Sequence, residues 1–318
     1  MSLVSPLATY EHPQDALRAA LDFIDAGEEV ALAIVTATHG GGVRAPGAMM
    51  AISKSGGSAG YVSGGCIDAD VRLNAIRSLQ TGHVQRLRYG SGSPFVDIRL
   101  PCGGAIEVLI VPVTNAQTVS MALASLEARR PVSFAVQPSG EIALSEDPDI
   151  CAAFRIRYRP KLSLRIAGRG SDCLALARLA GASGFNIRLQ LPDQDDFNAA
   201  RSAAIAKVER LTTPSSLPAV DDDPETAFVL MFHDAHWETA LLRQALGGPA
   251  FYIGAVGSVR THAARCGLMT AAGVPVADIA RIRGPIGLVP SMRDASMLAI
   301  SVLAEIVDAF HNVESAHV

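Results

Sequence analysis

Five cysteines, Cys66, Cys102, Cys151, Cys173 and Cys266, are scattered through 318 residues, and no two form a CxxC pair. Without paired spacing there is neither a zinc knuckle nor a disulfide framework to read, and free thiols in a reducing compartment are expected. No stretch reaches the ~18 uninterrupted apolar residues of a membrane-spanning helix. Met1 to Pro13 has no basic start and no apolar run of signal-peptide length, so a cytoplasmic protein without membrane attachment is expected. A formal charge of −4 leaves no extended positive field, which argues against nucleic acid as a partner. Internal repeats and low-complexity tracts are lacking too.

What is present suits a folded enzyme-sized chain. Hydrophobic residues make up 49%, enough for a substantial core, and the length suggests about two domains of ~100 to 200 residues. The first, over residues 1–160, reads as mixed α+β. A helix over Asp15–Ala26 stops at Gly27, and strands are expected over Val30–Ala37 and Ala48–Ser53. Another helix begins at or just after Cys66 and runs to Thr81. Further strands are expected over Ile98–Leu100, Ala105–Val113, Val132–Val136, Ile142–Leu144 and Phe154–Tyr158, with a helix over Gln117–Ala128. Arg155, Arg157 and Arg159 alternate and share a face, which reads as a solvated edge.

From Leu162 the rhythm becomes βαβ: strand Leu162–Ala167, a glycine turn, helix Ser171–Ala182, strand Ile187–Leu191. Residues 161–318 therefore read as a doubly wound parallel sheet. Strands follow over Ala227–Phe232 and Ala250–Ile253. The acidic Asp221-Asp222-Asp223-Pro224 reads as a solvated loop, and a closing helix over Ser291–Phe310 sets Met297, Ile300, Ala304 and Val307 on one face.

Several turns carry side chains suited to ligands. Gly64 and Gly65 precede Cys66, so a thiol sits near a helix N-terminus, where the dipole and free amides favour thiolate; it could ligate a metal or carry sulfur. Cys102 is followed by Gly103 and Gly104 in a second glycine-thiol turn. Arg44, in the loop after His39, can fork onto a phosphate. In the second domain Gly168, Gly170 and Cys173 stand where a dinucleotide fingerprint has three glycines, and no acid ends the strand Leu189-Gln190-Leu191. Cys173 is expected to widen the helix–strand spacing. His233 and Asp234 follow a strand at the carboxyl edge of the sheet; the competing reading makes Asp234 a helix cap. Gly257, Ser258 and Arg260 offer amides, a hydroxyl and a guanidinium to an anion.

Taken in order, Arg44-Ala45-Pro46-Gly47, Ser63-Gly64-Gly65-Cys66, Pro101-Cys102-Gly103-Gly104, His233-Asp234, Gly257-Ser258-Val259-Arg260-Thr261 and Arg283-Gly284-Pro285-Ile286-Gly287-Leu288 resemble the pattern of the XdhC/CoxI family of xanthine dehydrogenase maturation factors. The likeness spans nearly the whole chain. It implies an XdhC/CoxI-type N-terminal domain joined to a Rossmann-like domain. The expected role is to hold the molybdenum cofactor, of the molybdopterin type, during sulfuration and to deliver it to an apo molybdenum hydroxylase such as xanthine dehydrogenase. A cysteine desulfurase is the implied sulfur donor, a homodimer is compatible, and a nucleotide in the Rossmann-like domain is left open. The alternative is an NAD(P)-dependent oxidoreductase working through the glycine turn at residue 168.

Overall fold

The computed structural model describes residues 11–40, 44–91, 103–147, 149–203, 205, 207–232 and 234–315. The expected strand at Ile98–Leu100, Cys102 and His233 lie outside the described residues. The chain divides into two compact units, Met1–Pro160 and Lys161–Val318, and each is mixed or alternating α/β.

In the first unit, α1 (Pro13–Asp25) is followed by β1 (Val30–His39), β2 (Met49–Ser53), β3 (Ser58–Gly60), α2 (Asp68–Thr81), β4 (Gln85–Gly90), β5 (Ala105–Pro112) and α3 (Ala116–Glu127). Then come β6 (Val132–Val136), β7 (Ile142–Leu144) and β8 (Phe154–Tyr158). The main sheet is antiparallel in the order β3-β2-β1-β5-β4, and a smaller sheet runs β7-β6-β8. Strand β1 is buried on both faces, which explains its unbroken apolar run. Leu32 and Ile34 join the core with Leu17 of α1 and Leu123 of α3. Ala31, Ala33 and Val35 face the opposite core with Val71 and Ala75 of α2.

The register fixes where the loops emerge. Ile34 pairs with Met49, Met50 with Gly60, His39 with Ala105, and Gly90 with Ala105. The connections after β1, after β3 and between β4 and β5 therefore leave from the same end of the sheet. Those three connections carry Arg44, Gly64–Cys66 and Gly103–Gly104. Strand β4, with alternating Arg86, Leu87, Arg88 and Tyr89, had no sequence-level counterpart. On β8, Arg155 and Arg157 are exposed while Tyr158 is buried, as a strand at the edge of the small sheet requires.

In the second unit the elements are β9 (Ser163–Gly168), α4 (Gly170–Ala182), β10 (Asn186–Leu191), α5 (Gln194–Ser202), β11 (Lys207–Arg210), β12 (Thr226–Met231) and α6 (Ala235–Leu246). They continue with β13 (Tyr252–Ala255), α7 (Val259–Ala271), α8 (Val276–Ile279), β14 (Ile282–Arg283) and α9 (Ala295–Ser315). The sheet is parallel, in the order β11-β10-β9-β12-β13-β14. That is the Rossmann arrangement, in which the strand order reverses between β9 and β12. Leu176 and Ala180 of α4 pack with Val302 and Ile306 of α9 on one face. Trp237 and Leu241 of α6 pack with Met269 of α7 on the other.

The structure decides which face of α9 is inner and corrects one expectation, the solvated loop at Asp221–Pro224. The α9 face carrying Met297, Ile300 and Val307 is the outer one, each residue being more than half exposed, while Ala299, Val302, Leu303, Ile306 and Ala309 enter the core. Both faces are apolar, so the period alone could not choose between them. Among the described residues, α9 alone has the length and mean hydropathy of a membrane-spanning helix; its inner face is taken by the sheet. The Asp221–Pro224 stretch is not wholly solvated. Asp222 turns inward and takes Arg165 Nε and Nη2 at 2.9 and 2.5 Å. Arg165 lies in the middle of β9 with its guanidinium 4.0 Å from the Phe228 ring centroid.

Candidate functional site

In the first unit, Asp68 organises the glycine-cysteine turn. Its carboxylate is 6% exposed and accepts N–H groups from Val62 (2.9 Å), Ser63 (3.2 Å) and Gly65 (2.9 Å). The Ser63 hydroxyl donates to the same carboxylate and accepts from Gly65 N at 3.0 Å. The chain is thereby bent around Cys66, which stays exposed with Sγ 3.7 Å from Ser63 Oγ. Helix α2 starts two residues later, with Ile67 at its N-cap and no side chain capping it. The thiol thus precedes the helix by one position more than expected, beside first-turn amides that have no intrahelical acceptor. The amide of Gly65, expected to face a ligand, is instead committed to Asp68.

The neighbouring helix turn reaches the far edge of the sheet. Tyr89 Oη on β4 donates to Asp70 Oδ2 at 2.7 Å, and burial followed by that bond pushes the Tyr89 hydroxyl pKa up. The segment that leaves β3 on one edge is in this way tied to β4 on the other. Gly40 and Gly104 come together as well, since a Cβ on Gly40 would lie 3.4 Å from Gly104 Cα. Gly65 and Gly103 both have positive φ (104° and 70°), and a Cβ on either would meet nothing within 4 Å. These two glycines face open space.

Charge lines the same end of the sheet. Glu107 Oε1 takes Arg88 Nη1 at 2.7 Å and lies 3.4 Å from His39 Nε2. A groove of about 240 Å³ runs past Thr36, Arg86, Arg88 and Glu107. Arg86 and Arg88 were missed at the sequence level, because nothing in β4 resembles a motif. Arg44, expected to fork onto a phosphate, is ion-paired with Glu11 at 2.8 Å. Among the described residues no three His, Cys, Asp or Glu side chains converge as a metal-ligand set; the exposed Cys66 thiol is a soft donor at this end.

In the second unit, the turn after β9 departs from a phosphate cradle. Gly170 N donates to Asp196 Oδ2 of α5 at 2.6 Å, so a carboxylate already sits on the amide a pyrophosphate would use. Asp193, the residue nearest to a strand-end acid, N-caps α5 by accepting from Asp195 N and Asp196 N. Cys173 does not hold the helix off the strand by itself; room for it comes from Gly168, where a Cβ would lie 2.4 Å from Cys173 Sγ and 2.6 Å from Met231 O. Burial pushes the Cys173 thiol pKa far up, and Sγ donates to Arg169 O at 3.3 Å. Arg169 remains exposed, its guanidinium 5.6 Å from the Phe232 ring centroid.

Asp234 accepts from His236 N at 3.0 Å and caps α6, the helix-cap reading. At the next turn Gly257 has φ 137°, and Ser258 Oγ accepts from Thr261 N at 3.1 Å to cap α7. Arg260 is exposed. On α7, Arg265 is buried and His262 half-buried, and neither carries a motif in the sequence. Arg265 gives Nε to Glu238 Oε2 and Nη2 to Val256 O, both at 2.8 Å, and His262 Nε2 lies 3.6 Å from Cys266 Sγ. Downstream, the Gly284–Pro285 bond is cis, and Glu305 of α9 holds this loop by accepting from Gly287 N.

Two family models match the chain: the XdhC and CoxI family over residues 23–90 and the XdhC Rossmann domain over residues 164–306. The chain is also 33% identical over 295 residues to the molybdenum cofactor insertion chaperone PaoD of Escherichia coli strain K12, covering 91% of this chain and 86% of that protein. It belongs to the XdhC and CoxI family. A crystal structure described as a xanthine dehydrogenase from Bacillus halodurans superposes with a TM-score of 0.77 at 21% identity, over 93% of this chain and 96% of that one. That likeness shows the shared fold. Within the family frame, the two matched segments contain the Cys66 turn and the parallel sheet respectively.

Proposed function

We propose that this chain is a molybdenum cofactor accessory protein of the cytoplasm: it binds the molybdopterin-type cofactor as cargo and hands it to an apo molybdenum hydroxylase of the xanthine dehydrogenase type. The observation that carries this reading is the likeness to PaoD along 91% of the chain; the turn that displays Cys66 lies in the segment, residues 23–90, that matches the XdhC and CoxI family. The residues suit such a cargo. An exposed thiol offers a soft contact for a molybdenum–sulfur centre, Gly65 and Gly103 leave room for close approach, and Arg86 and Arg88 supply positive charge for a phosphate. A cysteine desulfurase as sulfur donor belongs to the same proposal. So does a homodimer, in which the exposed Met297, Ile300 and Val307 of α9 would be covered.

The test is direct. Purified protein is mixed with cofactor, and the bound pterin is oxidised to a fluorescent product and counted. Stoichiometric uptake by the wild-type chain, reduced uptake or reduced activation of an apo-hydroxylase by Cys66→Ala, and no turnover of its own are expected. Equal uptake and equal activation by both proteins would remove Cys66 from the proposal. The oxidoreductase alternative has the strand order in its favour, but the Asp196 carboxylate on Gly170 N works against a bound dinucleotide. Titration with NADPH separates the two.

A further inference from the structure

We propose that the second unit binds a phosphate or pyrophosphate group at the turn between β13 and α7, through Arg260, His262 and Arg265, and not at the glycine turn between β9 and α4. This goes beyond the cofactor reading, since it concerns the anion alone.

The glycine turn is already supplied with negative charge. Asp196 accepts from Gly170 N at 2.6 Å, and Asp172 lies in the first turn of α4. A phosphate placed there would displace one carboxylate and face another, an arrangement that repels at any protein dielectric. The β13–α7 turn has the opposite character. No carboxylate accepts from it among the described residues, and Arg260, exposed in the first turn of α7, has no partner among them.

Beneath this turn, two polar atoms are buried and unpaired. Arg265 is 2% exposed; its Nη2 bonds to Val256 O, the residue just before Gly257, so the guanidinium lies directly under the turn. Its Nη1 has neither solvent nor a hydrogen-bond partner, and His262 Nδ1, one helical turn earlier, has neither as well. A buried polar atom without a partner is destabilising, and a ligand oxygen on Arg265 Nη1 would remove that cost. Only a glycine fits beside the imidazole, because a Cβ at Gly284 would stand 2.4 Å from His262 Nδ1. The Arg265 charge is balanced by Glu238, leaving Arg260 as the free positive group that draws an anion in.

Isothermal titration of the full chain with inorganic pyrophosphate, without any pterin, tests the seat independently of the cofactor proposal. Binding is expected, weakened about tenfold by Arg260→Ala and about fivefold by His262→Gln, and unchanged by Arg169→Ala at the glycine turn. Neither substituted arginine supports the core, so folding is preserved. Cytidine diphosphate is the second arm: affinity equal to pyrophosphate means the phosphates alone are read, tighter binding means a nucleotide is, and both support the seat. No binding to the wild-type chain, or a loss in Arg169→Ala with none in Arg260→Ala, overturns it.

Discussion

Asp68 Oδ2 accepts the N–H of Gly65 at 2.9 Å, and this bond closes the turn on which Cys66 is displayed. The same carboxylate holds Val62 N and Ser63 N. Asp68→Ala takes the acceptor from the Val62 and Ser63 amides and from the Ser63 hydroxyl, so a loss of about 2–4 kcal/mol in unfolding free energy is expected. Urea denaturation measures it. The rate at which iodoacetamide alkylates Cys66 should change in parallel, because the loop that positions the thiol is released; a stable variant with unaltered alkylation would show that Asp68 does not position Cys66.

A second prediction concerns the buried pair in the parallel sheet. Arg165 and Asp222 have side chains 1% and 5% exposed, and Gln190 and Gln244 complete the guanidinium's partners. Burial lowers the Arg165 pKa while Asp222 opposes that effect, and the guanidinium keeps its charge. Asp222→Ala strands the cation and should destabilise by about 3–5 kcal/mol. Replacing both partners, as Arg165→Met with Asp222→Leu, should recover most of the loss. Calorimetric unfolding of the two proteins decides, and a double variant as unstable as the single one would contradict the stranded-charge account.

The thiols should separate by access. Cys66 and Cys151 are exposed, Cys266 is half-buried and Cys173 is buried. Since burial also holds the Cys173 proton on, its thiolate fraction is negligible in the folded state. Reaction with a disulfide dye followed by peptide mapping should modify Cys66 and Cys151 within the first phase. Cys173 should react only after denaturant is added; early labelling of Cys173 would mean that the β9–α4 turn opens readily.

Much of the framework was legible because local patterns and tertiary outcome agree. The βαβ rhythm after Leu162 became the parallel sheet, and the helix α2 followed Cys66 closely. Where the reading failed, the deciding partner was distant in sequence. Asp222 turns inward to meet Arg165, and Asp196 reaches back to Gly170 across a whole βα unit. Neither acid announces its role, since a carboxylate in a loop or helix start is usually solvated. On α9 the pattern left the inner face open for another reason: Met297, Ile300 and Val307 have the helical period of a core face, and so do Val302, Ile306 and Ala309. At the candidate site, the glycine turns could be recognised as turns, but their end-to-end gathering depended on antiparallel register. The buried Arg265 and half-buried His262 gave no signal, because on a helix a charged or polar residue at ordinary spacing reads as surface.

The imidazole of His262 offers a pH test with a definite sign. Burial, and then the nearby Arg265 charge, hold its pKa below the ordinary histidine range. In the unfolded chain the ring takes up a proton near the unperturbed value of about 6.5, whereas the folded chain resists it. Above that pH both states are neutral, and the contribution to stability is fully present. As the pH falls toward the lowered folded value the unfolded state binds more protons, so stability declines, and below it the decline ends. Urea midpoints measured in phosphate-free buffer from about pH 7.5 down to about pH 5 should therefore fall more for the wild-type chain than for His262→Gln, which cannot titrate. Parallel curves for the two proteins would mean that the ring is hydrated and proton-accessible in the folded state, and that the environment under the β13–α7 turn is not the closed one described.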